Sequence, residues 1–223
     1  MDLSKSYEFF KPEKYPDRIH IIGCGSVGST IAVMLARCGI TKMTLWDFDM
    51  VEPHNIVNQQ FRRQDFGKLK VEALADIITD INEDAAKNLK LKPKGWHGET
   101  LSGFVFLCAD SMEIRRQIVE KHMANMTVKA MFDFRTRLTD AQHYAADWSD
   151  YAMKEALLAS MQFTDEEAKE ETEVSACGVT LGVAPTVWSI CARGVANFMN
   201  FWNGKPIKKL ILDDSYNFLT DAF

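Results

Sequence analysis

The chain has 223 residues, of which 47% are hydrophobic and 26% charged, and its formal net charge is −5. This composition is typical of a globular protein and excludes a disordered or fibrous chain. No apolar run reaches the roughly 18 residues that a membrane span needs, and the polar start predicts that the chain is not secreted. The negative charge disfavours broad nucleic-acid binding. Five cysteines without paired spacing favour free thiols and a cytoplasmic location.

The first half of the chain alternates predicted strands and helices. Residues 1–17 are expected to be a loose lead-in, and 18–223 a single domain. Short apolar segments bounded by turn residues predict strands at 18–23, 42–49, 89–93 and 103–108. Apolar side chains at helical spacing predict helices from Ser26 to about 39, over 68–82, and after the strand 103–108 to about Met123. This alternation predicts a parallel, doubly wound sheet.

The second half is predicted to be antiparallel. Residues 127–135 and 141–147 have the pattern of two strands that pair as a hairpin around 138–140. The acidic run 165–173 is expected to be an exposed loop. The remaining predicted elements are helices at 150–163 and 184–202 and an edge strand at 207–213. The predicted fold class is therefore α/β, a Rossmann-like doubly wound sheet with a parallel first half and an antiparallel second half.

A glycine-rich turn, Gly23-Cys-Gly25-Ser-Val-Gly28, lies between the first predicted strand and the first predicted helix. In this context the GxGxxG pattern predicts a nucleotide, because glycines let the backbone approach a phosphate and the helix N-terminus offers free N–H groups. Asp47 ends the next strand, where a carboxylate can bind ribose hydroxyls. In the alternative interpretation no nucleotide binds. The glycines are then needed only for a tight turn between strand and helix, and Asp47 is a solvated residue at the end of its strand.

Two charged residues favour ATP over a dinucleotide. Lys70 begins a predicted helix close to the glycine turn, where its ammonium can neutralise a triphosphate. Asp110 follows a buried strand, so it lies at the ligand-facing edge of the sheet, where a carboxylate can hold Mg²⁺. Each residue has an alternative role. Lys70 can be a solvated lysine in a first helical turn, and Asp110 can be the N-cap of the next helix.

Five elements in order resemble the ThiF/MoeB/HesA family of adenylyltransferases, namely GCGSVG, WDFDMVEPHN, Gln59, GKLK and CAD. The resemblance covers residues 18–120 strongly and 121–223 more loosely. It implies that ATP and Mg²⁺ are the cofactors. It further implies an acyl-adenylate at the C-terminus of a small ubiquitin-like or sulfur-carrier protein with a Gly-Gly tail, and a homodimer, which is common among relatives.

The resemblance also implies a role for each matching residue. The implied ligands of the nucleotide and its metal are Gly23, Gly25 and Gly28 at the turn, Asp47 at the ribose, Asn55 and Lys70 at the phosphates, and Asp110 at magnesium. Arg115 falls where the family often has an arginine after this aspartate, and its expected role is to support the loop rather than to react.

Among the departures of the chain from the family pattern, two concern the binding of phosphate and zinc. Asn58 stands where the family usually has an arginine, so the missing phosphate contact is expected from Arg62 or Arg63. The two CxxC pairs that bind zinc in many relatives are absent, and the five histidines lack ligand spacing. No structural zinc is therefore predicted.

The cysteines fall into two groups. Four are predicted to be packing thiols: Cys24, Cys38, Cys108 and Cys191. Cys177 differs, because relatives often place a reactive cysteine just before a similar Gly-Val and helix start. The N–H groups of that helix would lower the pKa of its thiol. Cys177 is thus a candidate nucleophile that forms a thioester, and a small buried residue is the alternative.

Three functions remain open from the sequence. The first is an ATP-dependent adenylyltransferase whose catalytic residues are Lys70, Asp110 and Cys177. The second is an oxidoreductase that binds NAD or FAD at the same turn and is indifferent to magnesium. The third is a non-catalytic adaptor that binds a nucleotide and docks a partner, an interpretation that Asn58 motivates.

Overall fold

The computed structural model describes residues 1–14, 16–170 and 181–223, without the side chains of 168–170. Its strands are β1 (Ile19–Ile22), β2 (Met43–Trp46), β3 (Lys90–Lys92), β4 (Gly103–Leu107), β5 (Val128–Thr136), β6 (Asp140–Asp147), β7 (Leu210–Asp214) and β8 (Leu219–Ala222). Its helices are α1 (Ser26–Arg37), α2 (Lys70–Ile81), α3 (Ala85–Asn88), α4 (Met112–His122), α5 (Tyr151–Ala159), α6 (Asp165–Glu170) and α7 (Ala184–Trp202).

The described strands form one sheet in the order β3-β2-β1-β4-β5-β6-β7-β8. The pairs from β3 to β5 are parallel, and the pairs from β5 to β8 are antiparallel. Parallel strands need long crossover connections, which the helices of the first half supply. Strands β5 and β6 are joined by a short hairpin, as predicted. The Rossmann-like fold class with its two halves is thereby confirmed.

The sheet has an apolar core on each face. Successive residues of β4 serve both, because side chains alternate along a strand: Phe104 and Phe106 face α1 and α7, whereas Val105 and Leu107 face α4 and α5. All of β4 is buried, as expected of a central parallel strand. On α7 the predicted inward residues Val187, Ile190, Val195 and Phe198 are all buried, which confirms that prediction.

The N-terminal segment, expected to be a loose lead-in, is anchored to the domain at Phe10. Phe10 is only 1% exposed and belongs to the core beside α7. Its ring lies 5.4 Å from the ring of Trp202. The burial of one aromatic side chain contributes about 1.5–3 kcal/mol toward holding this segment against the domain.

Three further elements differ from prediction. Residues 165–170 are helical rather than a loop, because Thr164 and Glu167 cap each other's backbone N–H groups at 2.8 and 3.1 Å. Strand β7 is not the edge strand, because β8 pairs with it beyond a tight turn. In that turn the Asp214 carboxylate accepts a hydrogen bond from the Asn217 N–H at 3.1 Å. Helix α5 also ends at Ala159, before the predicted boundary.

Candidate active site

The candidate site lies where the carboxyl ends of three parallel strands meet. Ile22, the last residue of β1, is in register with Trp46 at the end of β2 and with Leu107 at the end of β4. The glycine turn, Asp47 and the segment 108–110 therefore emerge side by side at one edge of the sheet. This edge is where ligands bind in doubly wound folds.

The three glycines of the turn have different roles. Gly23 has φ +91°, and a Cβ there would lie 2.7 Å from the backbone nitrogen of Ala109. A Cβ on Gly28 would lie 1.9 Å from the carbonyl oxygen of Gly23. Both contacts are too close for any side chain, so these two glycines shape the turn. A Cβ on Gly25 would meet nothing within 4 Å, so Gly25 leaves open space at the mouth of the site.

The start of α1 is suited to bind an anion. Gly25 is the N-cap, so no side chain caps the first turn, and that turn contains no acidic residue. The first N–H groups of a helix lack partners within the helix and carry a positive partial charge. A phosphate group placed in the open space at Gly25 fits both features.

Alanine at Gly25 and at Gly28 should therefore have opposite effects. Gly28→Ala is expected to destabilise the fold by about 1–3 kcal/mol or more through overpacking against Gly23. Gly25→Ala should leave the melting temperature unchanged but weaken ATP binding about tenfold, because its Cβ would occupy the space of the phosphate and cost the ligand about one hydrogen bond to a charged group. Thermal melting and calorimetric titration measure the two effects. Unaltered ATP affinity in a folded Gly25→Ala variant would contradict the assignment of this turn.

Asp47 is tied directly to the glycine turn. Its Oδ2 accepts a hydrogen bond from the Cys24 N–H at 2.6 Å, and its Oδ1 accepts one from the Asp49 N–H at 2.8 Å. The side chain is nearly buried, and this burial raises the pKa of its carboxyl above the usual value. The carboxylate is therefore oriented before any ligand arrives, and each oxygen keeps a lone pair for a ribose hydroxyl.

Lys70 is anchored beside the same residues. Its side chain is 9% exposed, and its Nζ donates to Asp49 Oδ2 at 2.8 Å. Its backbone N–H also donates to the Asp49 carbonyl at 2.8 Å. The alternative of a solvated lysine is therefore wrong. One of the three ammonium protons binds Asp49, so two donors remain for a phosphate.

Asp110 is exposed at the end of the segment that follows β4. The N-cap of α4 is Ser111, whose Oγ accepts a hydrogen bond from the Ile114 N–H at 3.3 Å, so the alternative of Asp110 as the cap is wrong. Within the described ranges no hydrogen bond or ion pair engages the Asp110 carboxylate, and no group of three or more metal-ligating side chains forms. A Mg²⁺ ion there would take its other ligands from phosphate and water, as Mg²⁺ prefers.

The profile of the ThiF family matches residues 15–199. The chain belongs to the ThiF family. Ubiquitin-like modifier-activating enzyme 5 of Drosophila persimilis is 42% identical over 84 residues, 38% of this chain and 21% of that protein. The same enzyme of Caenorhabditis briggsae is 36% identical over 84 residues, 38% and 18% of the two chains. The chain thus spans about a fifth of these curated relatives.

Solved structures with the same fold are more distant in sequence. Escherichia coli MccB with AMPCPP and MccA has a TM-score of 0.73 at 17% identity, over 93% of this chain and 63% of that one. MccB with ATP has a TM-score of 0.70 at 16% identity, over 93% and 63%. PaaA has a TM-score of 0.69 at 18% identity, over 93% and 64%.

Among the described helices, none is both long enough and apolar enough to cross a membrane.

The residues that stand for the family's asparagine and arginine have partners within the protein. Asn55 is buried, and its Oδ1 accepts a hydrogen bond from the Glu52 N–H at 2.8 Å. Asn58 Nδ2 donates to the Gly182 carbonyl at 3.1 Å, just before α7. Arg62 donates to Asp65 at 3.0 Å and to Asp80 at 2.9 Å, so a phosphate would compete with two carboxylates for its guanidinium. The neighbouring Arg63 is exposed.

The described cysteines are packing thiols, as predicted. Cys24 and Cys191 are fully buried, and burial raises the pKa of both thiols well above the usual value. Cys38 and Cys108 are partly buried, and desolvation raises the pKa of each of them too. None of the four has the exposure and low pKa of a nucleophile. Cys177 lies outside the described residues, so its role stays a prediction.

Two features of the site were missed at the sequence level. The first is Asp49, the partner of Lys70, although its position two residues after Asp47 in an Asp-x-Asp pattern was a usable signal. The second is a buried group around Asp133. Arg115 contacts it at 2.6 Å and also donates through Nε to the Ala109 carbonyl at 2.8 Å. The predicted role of Arg115 as a support for the loop after β4, which contains Ala109 and Asp110, is thereby confirmed.

Proposed function

We propose that this member of the ThiF family binds ATP with Mg²⁺ and adenylates the C-terminal carboxylate of a small ubiquitin-like or sulfur-carrier protein that ends in Gly-Gly. One observation carries the proposal. An open, uncapped helix start, a hydrogen-bonded chain from Asp47 through Asp49 to Lys70, and an Asp110 carboxylate that no other described residue engages share one edge of the sheet. That set matches a nucleotide that carries both a triphosphate and a divalent ion.

The comparisons support this proposal from outside the site. The ubiquitin-like modifier-activating enzymes among the relatives are named for a protein substrate of this kind. The fold of MccB is shared, and its structures contain ATP in one case and AMPCPP with MccA in another.

Each part of the site has a task in adenylation. The ribose hydroxyls would be held by Asp47, and the phosphates by the N–H groups of α1 and by Lys70. Asp110 would hold Mg²⁺, which supplies further charge neutralisation at the phosphates when it is bound. No general base is required, because a carboxylate is already ionised at neutral pH.

The reaction then depends on position and charge. The carboxylate oxygen of the carrier attacks the α-phosphorus of ATP, the bond between the α-phosphorus and the bridging oxygen breaks, and pyrophosphate leaves. Negative charge grows on that bridging oxygen, so the fixed N–H dipoles and the Lys70 ammonium stabilise the transition state more than the ground state. Alignment of the two reactants supplies the rest of the acceleration.

A non-catalytic adaptor is the second candidate, and the environment of Asn58 and Arg62 favours it. Asn58 is engaged with Gly182, and Arg62 is engaged with Asp65 and Asp80. On this second candidate, internal contacts would take the place of a phosphate contact that relatives use. In this case ATP would bind without release of pyrophosphate.

ATP–pyrophosphate exchange distinguishes the two functions. The intact protein is incubated with ATP, Mg²⁺ and labelled pyrophosphate, together with each member of a panel of small β-grasp proteins that end in Gly-Gly. Label is expected to enter ATP only with a carrier whose tail is intact, and not with the same carrier lacking its last glycine. ATP binding without exchange for every carrier would contradict adenylation and favour the adaptor.

A further inference from the structure

A buried carboxylate forms the centre of a charge network behind the candidate site. Asp133 on β5 is fully buried. Its Oδ1 accepts a hydrogen bond from Arg115 at 2.6 Å, and its Oδ2 accepts one from Arg135 at 2.7 Å. A buried ion is costly unless its partners are in good geometry, so these three side chains specify one another's positions.

The Arg115 side of the network reaches the loop that carries Asp110. Besides Asp133, Arg115 donates through Nη1 to the Phe134 carbonyl at 2.6 Å. It also donates through Nε to the Ala109 carbonyl at 2.8 Å, and Nη2 donates to the same oxygen. Ala109 immediately precedes Asp110. Arg115 thus holds the peptide unit that joins Ala109 to Asp110.

The Arg135 side of the network reaches the segment that follows α5. Nη1 donates to the Ser160 carbonyl and Nη2 to the Ser160 hydroxyl, each at 2.8 Å. The guanidinium also lies over the ring of Tyr144, 4.2 Å from its centroid, an arrangement that favours a cation. All three nitrogens of the guanidinium therefore donate hydrogen bonds, and a flexible ammonium could not reproduce this arrangement.

The segment 160–165 returns to the same loop from the other side. Arg116 on α4 donates to the carbonyls of Met161 at 2.8 Å and Phe163 at 2.9 Å. At the end of the segment, the Asp165 carboxylate accepts a hydrogen bond from the Ser111 hydroxyl at 2.8 Å. Ser111 is the residue after Asp110, so the contacts close into a ring around the Asp110 loop.

We propose that Arg135, acting through Asp133 and Arg115, is a positioning residue for Asp110 and holds the loop after β4 in the orientation that a metal–nucleotide complex requires. The inference rests on the proposed function in one respect, the role of Asp110 as a magnesium ligand. The network itself contains none of the residues assigned to the nucleotide. Its loss therefore weakens the contribution of the metal and leaves the glycine turn intact.

The test measures how much Mg²⁺ strengthens nucleotide binding. α,β-Methylene ATP is titrated calorimetrically into the whole protein, once with excess Mg²⁺ and once with EDTA. Wild-type protein is expected to bind more tightly with Mg²⁺. Arg135→Met is expected to bind about tenfold more weakly than wild type with Mg²⁺, a loss typical of residues that support metal ligands, and equally well with EDTA. Arg135→Lys should show the same selective loss, because lysine keeps the charge but not the fork.

Lys154→Met is the matched control. Lys154 is also a buried cation over an aromatic ring, 5.4 Å from the centroid of Trp148, but its Nζ donates to the Met123 carbonyl at the opposite end of α4. The Lys154→Met variant should be less stable than wild type, but Mg²⁺ should raise its affinity for the nucleotide as much as it does in wild type. If wild type gains nothing from Mg²⁺, the proposed function fails. Two results would overturn the positioning role once Mg²⁺ is seen to raise the affinity of wild type. In the first, Mg²⁺ raises the affinity of Arg135→Lys by as much. In the second, Arg135→Lys loses affinity in EDTA as much as it does in Mg²⁺.

Discussion

Replacement of Lys70 by methionine is expected to lower ATP–pyrophosphate exchange by about 10²–10³-fold, the loss typical when one donor to a transition-state oxyanion is removed. The ammonium is held at 2.8 Å from Asp49 Oδ2 at the edge of the site, so its charge is already in place when the phosphates arrive. Methionine has a similar length and no charge. Asp49 is half-exposed and can be solvated in the variant, so the fold should persist.

Lys68→Met is the control for this experiment. Lys68 also forms an ion pair at 2.8 Å, with Asp76, but its side chain is 41% exposed and lies outside the proposed site. Its loss should change neither exchange nor melting temperature by much, since exposed ion pairs contribute about 0–1 kcal/mol. Equal activity of Lys70→Met and Lys68→Met would remove Lys70 from the reaction.

Replacement of Asp110 by asparagine should produce a loss that depends on magnesium. At limiting Mg²⁺ we expect exchange to fall at least about 100-fold, the upper end of the loss seen when a partner of a metal ligand is removed. Excess Mg²⁺ should restore part of the activity by mass action. In EDTA the affinity for ATP should be unchanged or higher, because the variant no longer places a negative charge near the phosphates. Initial rates across a Mg²⁺ series measure the effect.

Asp221→Asn provides the same change of charge at an exposed position on β8, the last strand in the sheet order, away from β1, β2 and β4. It should leave the Mg²⁺ dependence of exchange unchanged. Melting temperatures should be the same for both variants, since Asp110 is exposed and its carboxylate bonds to none of the described residues. A Mg²⁺ dependence that is identical in Asp110→Asn and wild type would show that the metal binds elsewhere.

Local patterns identified the parts of the candidate site that depend on neighbouring residues in the sequence. The GxGxxG turn is such a part, because Gly28 is required by its close approach to the carbonyl of Gly23 within the same turn. The positions of Asp47 and Asp110 could also be predicted from the sequence. Residues that follow parallel strands must emerge at one edge of the sheet, so strand prediction alone places them together.

The partners of these residues depend on packing that the sequence does not display. Ser111 rather than Asp110 caps α4, a choice of one residue between two good capping types. The ring of contacts through Asp133 joins residues from β5, α4 and the segment after α5, which are far apart in the chain. Helix α6 was missed although its capping pair was visible, because a run of acidic residues was interpreted only as a solvated loop.

The proposed ligand at this edge of the sheet is a triphosphate with its divalent ion, and not a nicotinamide dinucleotide. Competition between ATP and NAD separates these two ligands. The protein is titrated with a fluorescent ATP analogue in Mg²⁺, and unlabelled ATP or NAD is then added. We expect ATP to displace the analogue at far lower concentration than NAD, and removal of Mg²⁺ or replacement of Lys70 to weaken binding. Displacement by NAD at lower concentration than ATP, with no effect of Mg²⁺, would contradict the account and favour an oxidoreductase.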